Sequence, residues 1–230
     1  MSPILVIKNS FRISILVGLL FAFNASAQEA GSVTRSSGKA TITTATNQVK
    51  ALAKGDTVNS GDTITTEDDS QVLIRLKDNS TMAIRPKSKI KIAEFKFEKQ
   101  PTDTIKTNVI AGTLRAVSGQ IGKGQPDNVK YEANTATIGI RGTDIELAII
   151  PEGAKDRAGI YNYVHDGEVL MALNTGEKVT VTKELTGFTP DKLLPGESRL
   201  QVLKDRPAFL VSGGFDALIN QLTAPRLPMR

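Results

Sequence analysis

Apolar residues recur at every second position through most of this chain, and this spacing constrains the fold more than any other feature of the sequence. The stretch QVLIRL at Gln71–Leu76 places Val72, Ile74 and Leu76 on one face of an extended strand, and a second alternating run follows the break at Asp78-Asn79. Alternation with a period of two is typical of half-buried β-strands, and the polar break between the two runs predicts a hairpin.

Similar short runs, separated by Gly, Asp, Asn and Pro, continue to about residue 183. They predict an all-β domain over residues 28–183, built as an antiparallel β-sandwich or as a β-solenoid-like fold. The extension 184–230 differs, because part of it carries apolar residues at helical spacing and predicts a short amphipathic C-terminal helix. The residues at that spacing are Phe215, Leu218, Ile219 and Leu222. A helix this short needs a partner surface, so we expect it to dock on the β domain.

Residues 1–27 are predicted to form a secretory signal peptide that is cleaved after Ala27. Lys8 and Arg12 give a basic start, residues 13–23 are mostly apolar, and small residues precede the cleavage point. The apolar stretch is shorter than the roughly 20 residues that a membrane-spanning helix needs. We therefore expect a periplasmic or secreted bacterial protein with no integral membrane segment after cleavage.

Charge and cysteine content argue against several function classes. The formal net charge is +5, and two of the 29 basic residues lie in the predicted signal peptide, so the charge left after cleavage is small. A nucleic-acid partner is not expected, because such proteins cluster Lys and Arg along one face or helix. The chain contains no cysteine, which removes disulfides, thiolate catalysis and cysteine metal sites.

Residue types that carry catalysis are also sparse. His165 is the only histidine, and its place just before an Asp-Gly pair predicts a solvated turn residue. The sequence has no GxSxG, HExxH or glycine-rich phosphate motif, so we predict no enzyme activity, no cofactor and no metal. One alternative is a polysaccharide-acting enzyme with Asp144 and Glu146, on one strand face, as acid and base. Arg141 is expected to neutralise one of these two carboxylates.

Another alternative is a calcium-dependent adhesion or surface module that uses acidic residues in turns. A calcium site needs six to eight oxygen ligands, usually from alternating positions, and the acidic turns lack that spacing. Aspartate after glycine more simply caps a tight turn through its side chain. The residues concerned are Asp56, Asp62, Glu67, Asp68 and Asp69.

The stretch TATIGIRGTDIEL at residues 135–147 changes its apolar parity at Gly142. A bulge or a left-handed conformation at this glycine would turn both halves of the stretch toward one core. We therefore predict that Gly142 marks a corner in the fold. The four apolar residues that would face that core are Ile138, Ile140, Ile145 and Leu147.

A second glycine, in the pair Asp166-Gly167, separates two further alternating runs. An Asp-Gly pair in this setting predicts a hairpin turn. Together with a turn at residues 174–176, it predicts a three-stranded meander that ends with residues 178–182.

These motifs together resemble the FecR-type domain of bacterial envelope proteins. The family shows a Gly-(Val/Ile)-Arg-Gly-Thr signature after a Thr-rich strand, as in TATIGIRGTDI at residues 135–145. Upstream, Gly61-Asp62 and QVLIRLKDNSTMAIRP match its turn and hairpin elements, and VHDGEV at residues 164–169 matches its downstream element. The resemblance spans about residues 31–181.

The resemblance implies an all-β extracytoplasmic domain. In the regulators of the family, this domain follows a cytoplasmic anti-sigma segment and a membrane helix, and it contacts the signalling extension of an outer-membrane transporter. No such segment precedes Ile13 here, so we expect an exported stand-alone form without direct control of a sigma factor. The family assigns no catalytic role to Arg141, Gly142 and Thr143.

The sequence thus predicts a non-catalytic periplasmic or secreted FecR-like module for binding or scaffolding, with a setting in signalling. Its expected partner is an envelope protein or a surface polysaccharide, contacted through exposed strand edges. The candidate binding residues are Arg141, Gly142, Thr143 and Asp144.

Overall fold

The computed structural model describes residues 28–211. The predicted signal peptide at 1–27 and the predicted amphipathic helix at 215–222 lie outside the described residues. Within residues 28–211, no helix has the length and apolar character needed to cross a membrane.

Fifteen strands and three short helical turns make up the described chain. The strands are β1 (Glu29–Ser37), β2 (Ala40–Thr43), β3 (Val49–Ala51), β4 (Thr57–Asn59), β5 (Thr63–Thr66), β6 (Gln71–Leu76), β7 (Thr81–Ile84), β8 (Lys89–Lys96), β9 (Thr104–Val117), β10 (Val129–Ala133), β11 (Ala136–Ile150), β12 (Gly159–Leu173), β13 (Lys178–Thr182), β14 (Thr186–Pro190) and β15 (Gln201–Leu203). The helical elements are α1 (Gln120–Gly124) and two 3-10 turns, Pro126–Asn128 and Ala208–Leu210. The prediction of an all-β fold is confirmed.

All fifteen strands join one continuous sheet that has two branches. We call the branch β4-β1-β6-β7-β9-β11-β12-β14-β15 layer A and the branch β3-β2-β5-β8-β9-β10-β11-β12-β13 layer B. The pairings are antiparallel except for β9 with β10, which is parallel. The predicted hairpin of residues 71–84 is confirmed as β6 paired with β7.

Three long strands, β9, β11 and β12, belong to both layers. The first half of β9 pairs with β8 and β10, and its second half pairs with β7 and β11. The first half of β12 pairs with β14 in layer A, and its second half pairs with β13 in layer B. Each long strand therefore passes from one layer into the other part-way along its length.

A glycine with positive φ lies at each of these crossing points. The φ values are 78° at Gly112 in β9, 57° at Gly142 in β11 and 82° at Gly167 in β12. Left-handed conformations suit glycine because other residues meet a steric cost there. The inward parity of each strand switches at its glycine, so both halves of the strand bury their apolar side chains in the same core.

The corner predicted at Gly142 is confirmed. The four apolar residues that flank it are all buried and belong to the main core cluster, namely Ile138, Ile140, Ile145 and Leu147. Residues of both layers contribute to this one cluster, including Ile74 from layer A and Ile90 from layer B. The folded sheet thus encloses its core as the two layers of a β-sandwich do.

The hairpin predicted at Asp166-Gly167 is wrong, because β12 runs without reversal through both residues. Gly167 instead lies opposite the bulge in β11, where a Cβ atom would come within 2.9 Å of the Gly142 carbonyl oxygen. An Asp-Gly pair signals a glycine with positive φ, and a bulge uses that conformation as readily as a turn does. The turn predicted at residues 174–176 is confirmed between β12 and β13.

The domain boundary at residue 183 stays a prediction. Strands β14 and β15 follow that residue and extend layer A beyond β12. The chain after β15 then lies on the outer face of layer A, where Leu210 packs in a small apolar cluster with Ala148, Tyr161 and Phe188.

Candidate functional site

The predicted binding residues Arg141 to Asp144 lie at the corner of β11, but the corner separates their side chains. Arg141 is exposed, and its Nη1 atom lies 3.5 Å from Oε1 of Glu168 on β12. Gly142 is also exposed, with open space where a Cβ atom would point. Thr143 is buried; its backbone N–H donates to Oγ of Ser118 at 3.0 Å.

Asp144 faces the outer side of layer A and is engaged by Arg115 of β9. The Nε and Nη2 groups of Arg115 donate to the two carboxylate oxygens at 2.9 and 2.7 Å. The expectation that Arg141 neutralises one of the carboxylates is therefore wrong. Arg141 lies before the parity switch, on the outer face of layer B. Asp144 lies after the switch, on the outer face of layer A.

Glu146 lies two residues further along β11 and is the centre of a buried polar cluster. Its side chain is 0% exposed and forms ion pairs with Arg85, which directly follows β7, and with Arg206 of the C-terminal segment. The Arg206 Nη2 atom lies 2.7 Å from Oε2, and Nε2 of His165 lies 3.3 Å from the same oxygen. His165 is thus largely buried, and its prediction as a solvated turn residue is wrong.

The charge state of Glu146 follows from this environment. Burial opposes ionisation, but the hydrogen bond with His165 and the positive charges of Arg85 and Arg206 outweigh it and lower the pKa of Glu146. Glu146 is therefore a buried carboxylate that remains ionised at neutral pH.

The same cluster holds the C-terminal segment against layer A. Nη2 of Arg85 donates to the carbonyl oxygen of Leu210 at 2.8 Å, and the Arg206 guanidinium lies 5.3 Å from the ring centre of Tyr163.

A glycosidase needs one carboxylate to donate a proton and another to attack or activate water beside the sugar. Asp144 and Glu146 are both engaged by arginines, so the arrangement does not support the paired-carboxylate alternative.

The acidic turns serve the local structure. Asp56 Oδ2 accepts a hydrogen bond from the backbone of Ala53, and Asp62 Oδ2 accepts one from the backbone of Asn59, both at 2.8 Å. These bonds confirm the predicted capping role. Among the described residues, no group of three or more His, Asp or Glu side chains is placed to hold a metal ion.

Arg141 borders a groove on the outer face of layer B. In one row across the sheet, Lys130 of β10 pairs with Gly139 of β11, and Gly139 pairs with Leu170 of β12. Because Gly139 has no side chain, the row dips between its two neighbours. The resulting groove has a volume of about 260 Å³, and we call it the Arg141 groove. It is lined by Pro126, Asp127, Lys130, Thr137, Gly139, Ile140, Arg141, Leu170 and Ala172.

Leu170 is the main residue of this groove that sequence reasoning missed. It is 44% exposed, although the apolar residues on either side of it in β12 are buried. The signal was present in the sequence, because Leu170 is an apolar residue on the parity opposite to Val169 and Met171. Leu170 lies beside Arg141, and arginine is enriched at protein interfaces.

Comparison with known families bears on this site directly. The family model described as FecR protein matches residues 62–170, which run from the Asp62 turn to Leu170 in β12. Residues 62–170 are thus similar to the FecR domain. Arg85, Arg141 and Glu146 all lie within the matched residues, whereas Arg206 lies in the chain that follows them.

Similar solved structures include two crystal structures of a candidate anti-sigma factor from Parabacteroides distasonis ATCC 8503. Each is 9% identical and covers 62% of this chain and 59% of that chain, with TM-scores of 0.47 and 0.48. This chain therefore spans less than two thirds of the length of those chains. A cell surface anchoring domain is 25% identical over 28% of this chain and 84% of that chain, with a TM-score of 0.27. No curated protein matches this chain.

Proposed function

We propose that this protein is a non-catalytic binding module, exported to the periplasm or secreted, that contacts an envelope protein through the Arg141 groove. The observation that carries the proposal is how the charges around the FecR signature are distributed. Asp144 and Glu146 are held by arginines within the fold, whereas Arg141 is exposed beside Leu170 and the open backbone of Gly139.

The chemistry of the groove favours a protein partner over a polysaccharide. Leu170 and Ala172 offer apolar surface, and burial of apolar surface is the main driving force of most protein association. Sugar sites rely on aromatic rings, but none lines the groove, and the whole chain contains no Trp. Lys130 and Arg141 at the rim suit a partner segment with a carboxylate close to an apolar side chain.

The setting of this module in envelope signalling or assembly belongs to the same proposal. Support comes from the FecR domain and from the signal peptide predicted at residues 1–27. Export is tested by expressing the full chain in bacteria and analysing an osmotic-shock fraction by mass spectrometry. A mature protein that begins at Gln28 in that fraction is the expected result, and retention of the full chain in the cytoplasm would contradict it.

Binding through the groove is tested by photocrosslinking in intact cells. A photoreactive amino acid is placed at position 170, and the control chain carries it at position 49, where Val49 is 66% exposed on β3. We expect one dominant protein adduct from position 170 and not from position 49. The variant Gly139→Leu should abolish this adduct by filling the groove. The fold should tolerate this substitution, because a Cβ atom at Gly139 meets only the Leu170 carbonyl oxygen, at 3.9 Å.

The outcomes of this experiment separate the candidate partners. Gly124→Ala is the matched control, because Gly124 is exposed and an added Cβ atom meets nothing there. An adduct that Gly139→Leu removes and Gly124→Ala leaves unchanged supports the protein-binding groove. An adduct that stains for carbohydrate would show that the partner is a surface polysaccharide and not a protein. Equal adducts from positions 170 and 49, or an adduct that persists in Gly139→Leu, would contradict binding at the Arg141 groove.

A further inference from the structure

The outer face of layer A continues beyond the point where the C-terminal segment holds it. One row of paired residues crosses this face from Leu73 on β6 through Ala83 on β7 and Arg115 on β9 to Glu146 on β11. The segment that ends at Leu210 contacts the Glu146 end of this row through Arg206. The Leu73 end is apolar and lies on the far side of β7.

Leu73 and Ala83 have the burial of core residues without belonging to the main core. Their exposures are 2% and 0%, and their side chains lie on the sheet face opposite to Val72, Ile74 and Met82. Neither residue is a member of the main cluster or of the small cluster around Leu210. Apolar side chains on an outer sheet face stay out of water only when another segment covers them.

The described chain ends beside this apolar surface. The carbonyl oxygen of Leu210 accepts a hydrogen bond from Arg85, which lies two positions after Ala83 and directly follows β7. The next 19 residues, 212–230, carry Phe215, Leu218, Ile219 and Leu222 at helical spacing. Eight helical residues extend over about 12 Å, which spans two to three strands at a spacing of about 4.8 Å. Fully extended, residues 212–214 add about 10 Å beyond residue 211, which is roughly two strand spacings.

Charge complementarity supports the same location. Arg75 on β6 projects from this face beside the apolar pair, since it shares the outward parity of Leu73. Asp216 borders the apolar side of the predicted helix. A carboxylate in the first turn of a helix is favourable there and can approach a guanidinium group at the rim of the apolar surface.

We propose that residues 215–222 are an intramolecular clasp that covers Leu73 and Ala83 on the outer face of layer A. Its apolar side chains continue the layer that Leu210 begins. The clasp leaves the Arg141 groove on layer B as the face for partners, and it is independent of whether that groove binds a protein.

Thiol chemistry tests the clasp cleanly because the chain contains no cysteine. In the full chain, Ala83→Cys should react with a thiol reagent at least about tenfold more slowly than Val49→Cys, since reaction requires local opening. Adding Leu218→Asp should speed the reaction of the thiol at position 83 about tenfold or more. Adding Asn220→Asp, on the opposite side of the predicted helix, should leave it within about twofold. Fast labelling of the Ala83→Cys variant without further changes, or no response to Leu218→Asp, would overturn the clasp.

A second measurement covers the case in which Leu218→Asp disrupts the whole fold. The pair Ala83→Cys with Leu218→Cys should form a disulfide within one chain under mild oxidation, because the clasp brings the two positions together. The pair Val49→Cys with Leu218→Cys is the matched control and should not. Similar disulfide yields in the two pairs, with circular dichroism showing folded chains, would overturn the proposal.

Discussion

Glu146 is the residue around which the buried polar side chains on the outer face of layer A are arranged. A buried carboxylate is tolerated only when its charge and its hydrogen-bonding capacity are satisfied. Those partners are Arg85, directly after β7, Arg206 in the C-terminal segment and His165 on β12. The side chain that the sequence offers as half of a catalytic pair therefore serves to join three parts of the fold.

Removal of the Glu146 charge should destabilise the fold. Glu146→Gln keeps the size of the side chain but leaves two buried arginines without their counter-charge, so it should lower the free energy of unfolding by about 3–5 kcal/mol. Urea denaturation followed by circular dichroism measures the loss. Asp68→Asn removes the carboxylate of an exposed ion pair with Lys87 and should change stability by less than about 0.5 kcal/mol. Equal effects of the two substitutions would contradict the role given to Glu146.

The lowered pKa of Glu146 makes the stability of the fold depend on pH. Burial raises this pKa, but His165, Arg85 and Arg206 together lower it by more. A carboxylate with a depressed pKa in the folded state stabilises the fold above its unfolded pKa of about 4.3. That contribution is lost as pH falls through the folded pKa. The stability gap between the native chain and Glu146→Gln should thus be constant from pH 7 to about 5 and narrow below about pH 4. Urea titrations at a series of pH values check this, and a gap that stays constant down to pH 3 would refute it.

At the scale of single elements, the long strands β9, β11 and β12 determine the architecture. Each carries one glycine with positive φ at the point where it leaves one layer and enters the other. The glycine switches side-chain parity, so a continuous strand can bury apolar residues in one core on both sides of the corner. Without the switch, one half of each strand would turn its apolar residues to solvent.

A graded series of substitutions tests this role. Gly142→Ala should cost about 1–2 kcal/mol from its left-handed backbone alone, because nothing lies near the added Cβ atom. Gly142→Asn should cost less, since asparagine tolerates that conformation better than alanine does. Gly167→Ala should cost more than either, because its Cβ atom would also press on the Gly142 carbonyl at 2.9 Å.

Gly124→Ala is the matched control for this series. Gly124 closes α1 with open space around it, so alanine there should change the unfolding free energy by no more than about 0.5 kcal/mol. Denaturation midpoints of the four variants give the ranking. A Gly142→Ala variant as stable as Gly124→Ala would show that the corner does not depend on the glycine.

At the scale of the whole molecule, the two layers share one core and are joined by three strands that belong to both. Apolar residues of layer A and layer B fall in a single cluster of buried side chains. Separate unfolding of either layer would expose the inner face of the other and break β9, β11 and β12 in the middle. The described chain is thus expected to unfold as one cooperative unit.

The tyrosines report on the two layers separately, because the chain has three Tyr and no Trp. Tyr131 lies in layer B, whereas Tyr161 and Tyr163 lie in the layer A half of β12. In Tyr131→Phe and in the double variant Tyr161→Phe/Tyr163→Phe, the midpoint by tyrosine fluorescence should coincide with the midpoint by far-UV circular dichroism. Midpoints that differ within either variant would show that one layer unfolds before the other.

The local pattern of the sequence was sufficient for the strands and for much of the core. Alternation of apolar and polar residues depends on neighbours in the chain, so the β6–β7 hairpin and the all-β fold follow from it directly. The parity change in residues 135–147 was enough to place the corner at Gly142. The same reasoning failed at Gly167, because an Asp-Gly pair fits both a turn and a bulge and only the partner strand distinguishes them.

The partners of the charged residues were decided by the tertiary structure alone. Arg115 is 29 residues from Asp144, and Arg206 is 60 residues from Glu146, so their pairing depends on strand register and on the path of the C-terminal segment. The Arg141 groove likewise arises from a row of residues on three strands. By itself, then, the sequence determined which residues turn inward, because side-chain parity is a local property. Which outward residues meet one another was fixed only by the folded sheet, because contacts across strands depend on the whole topology.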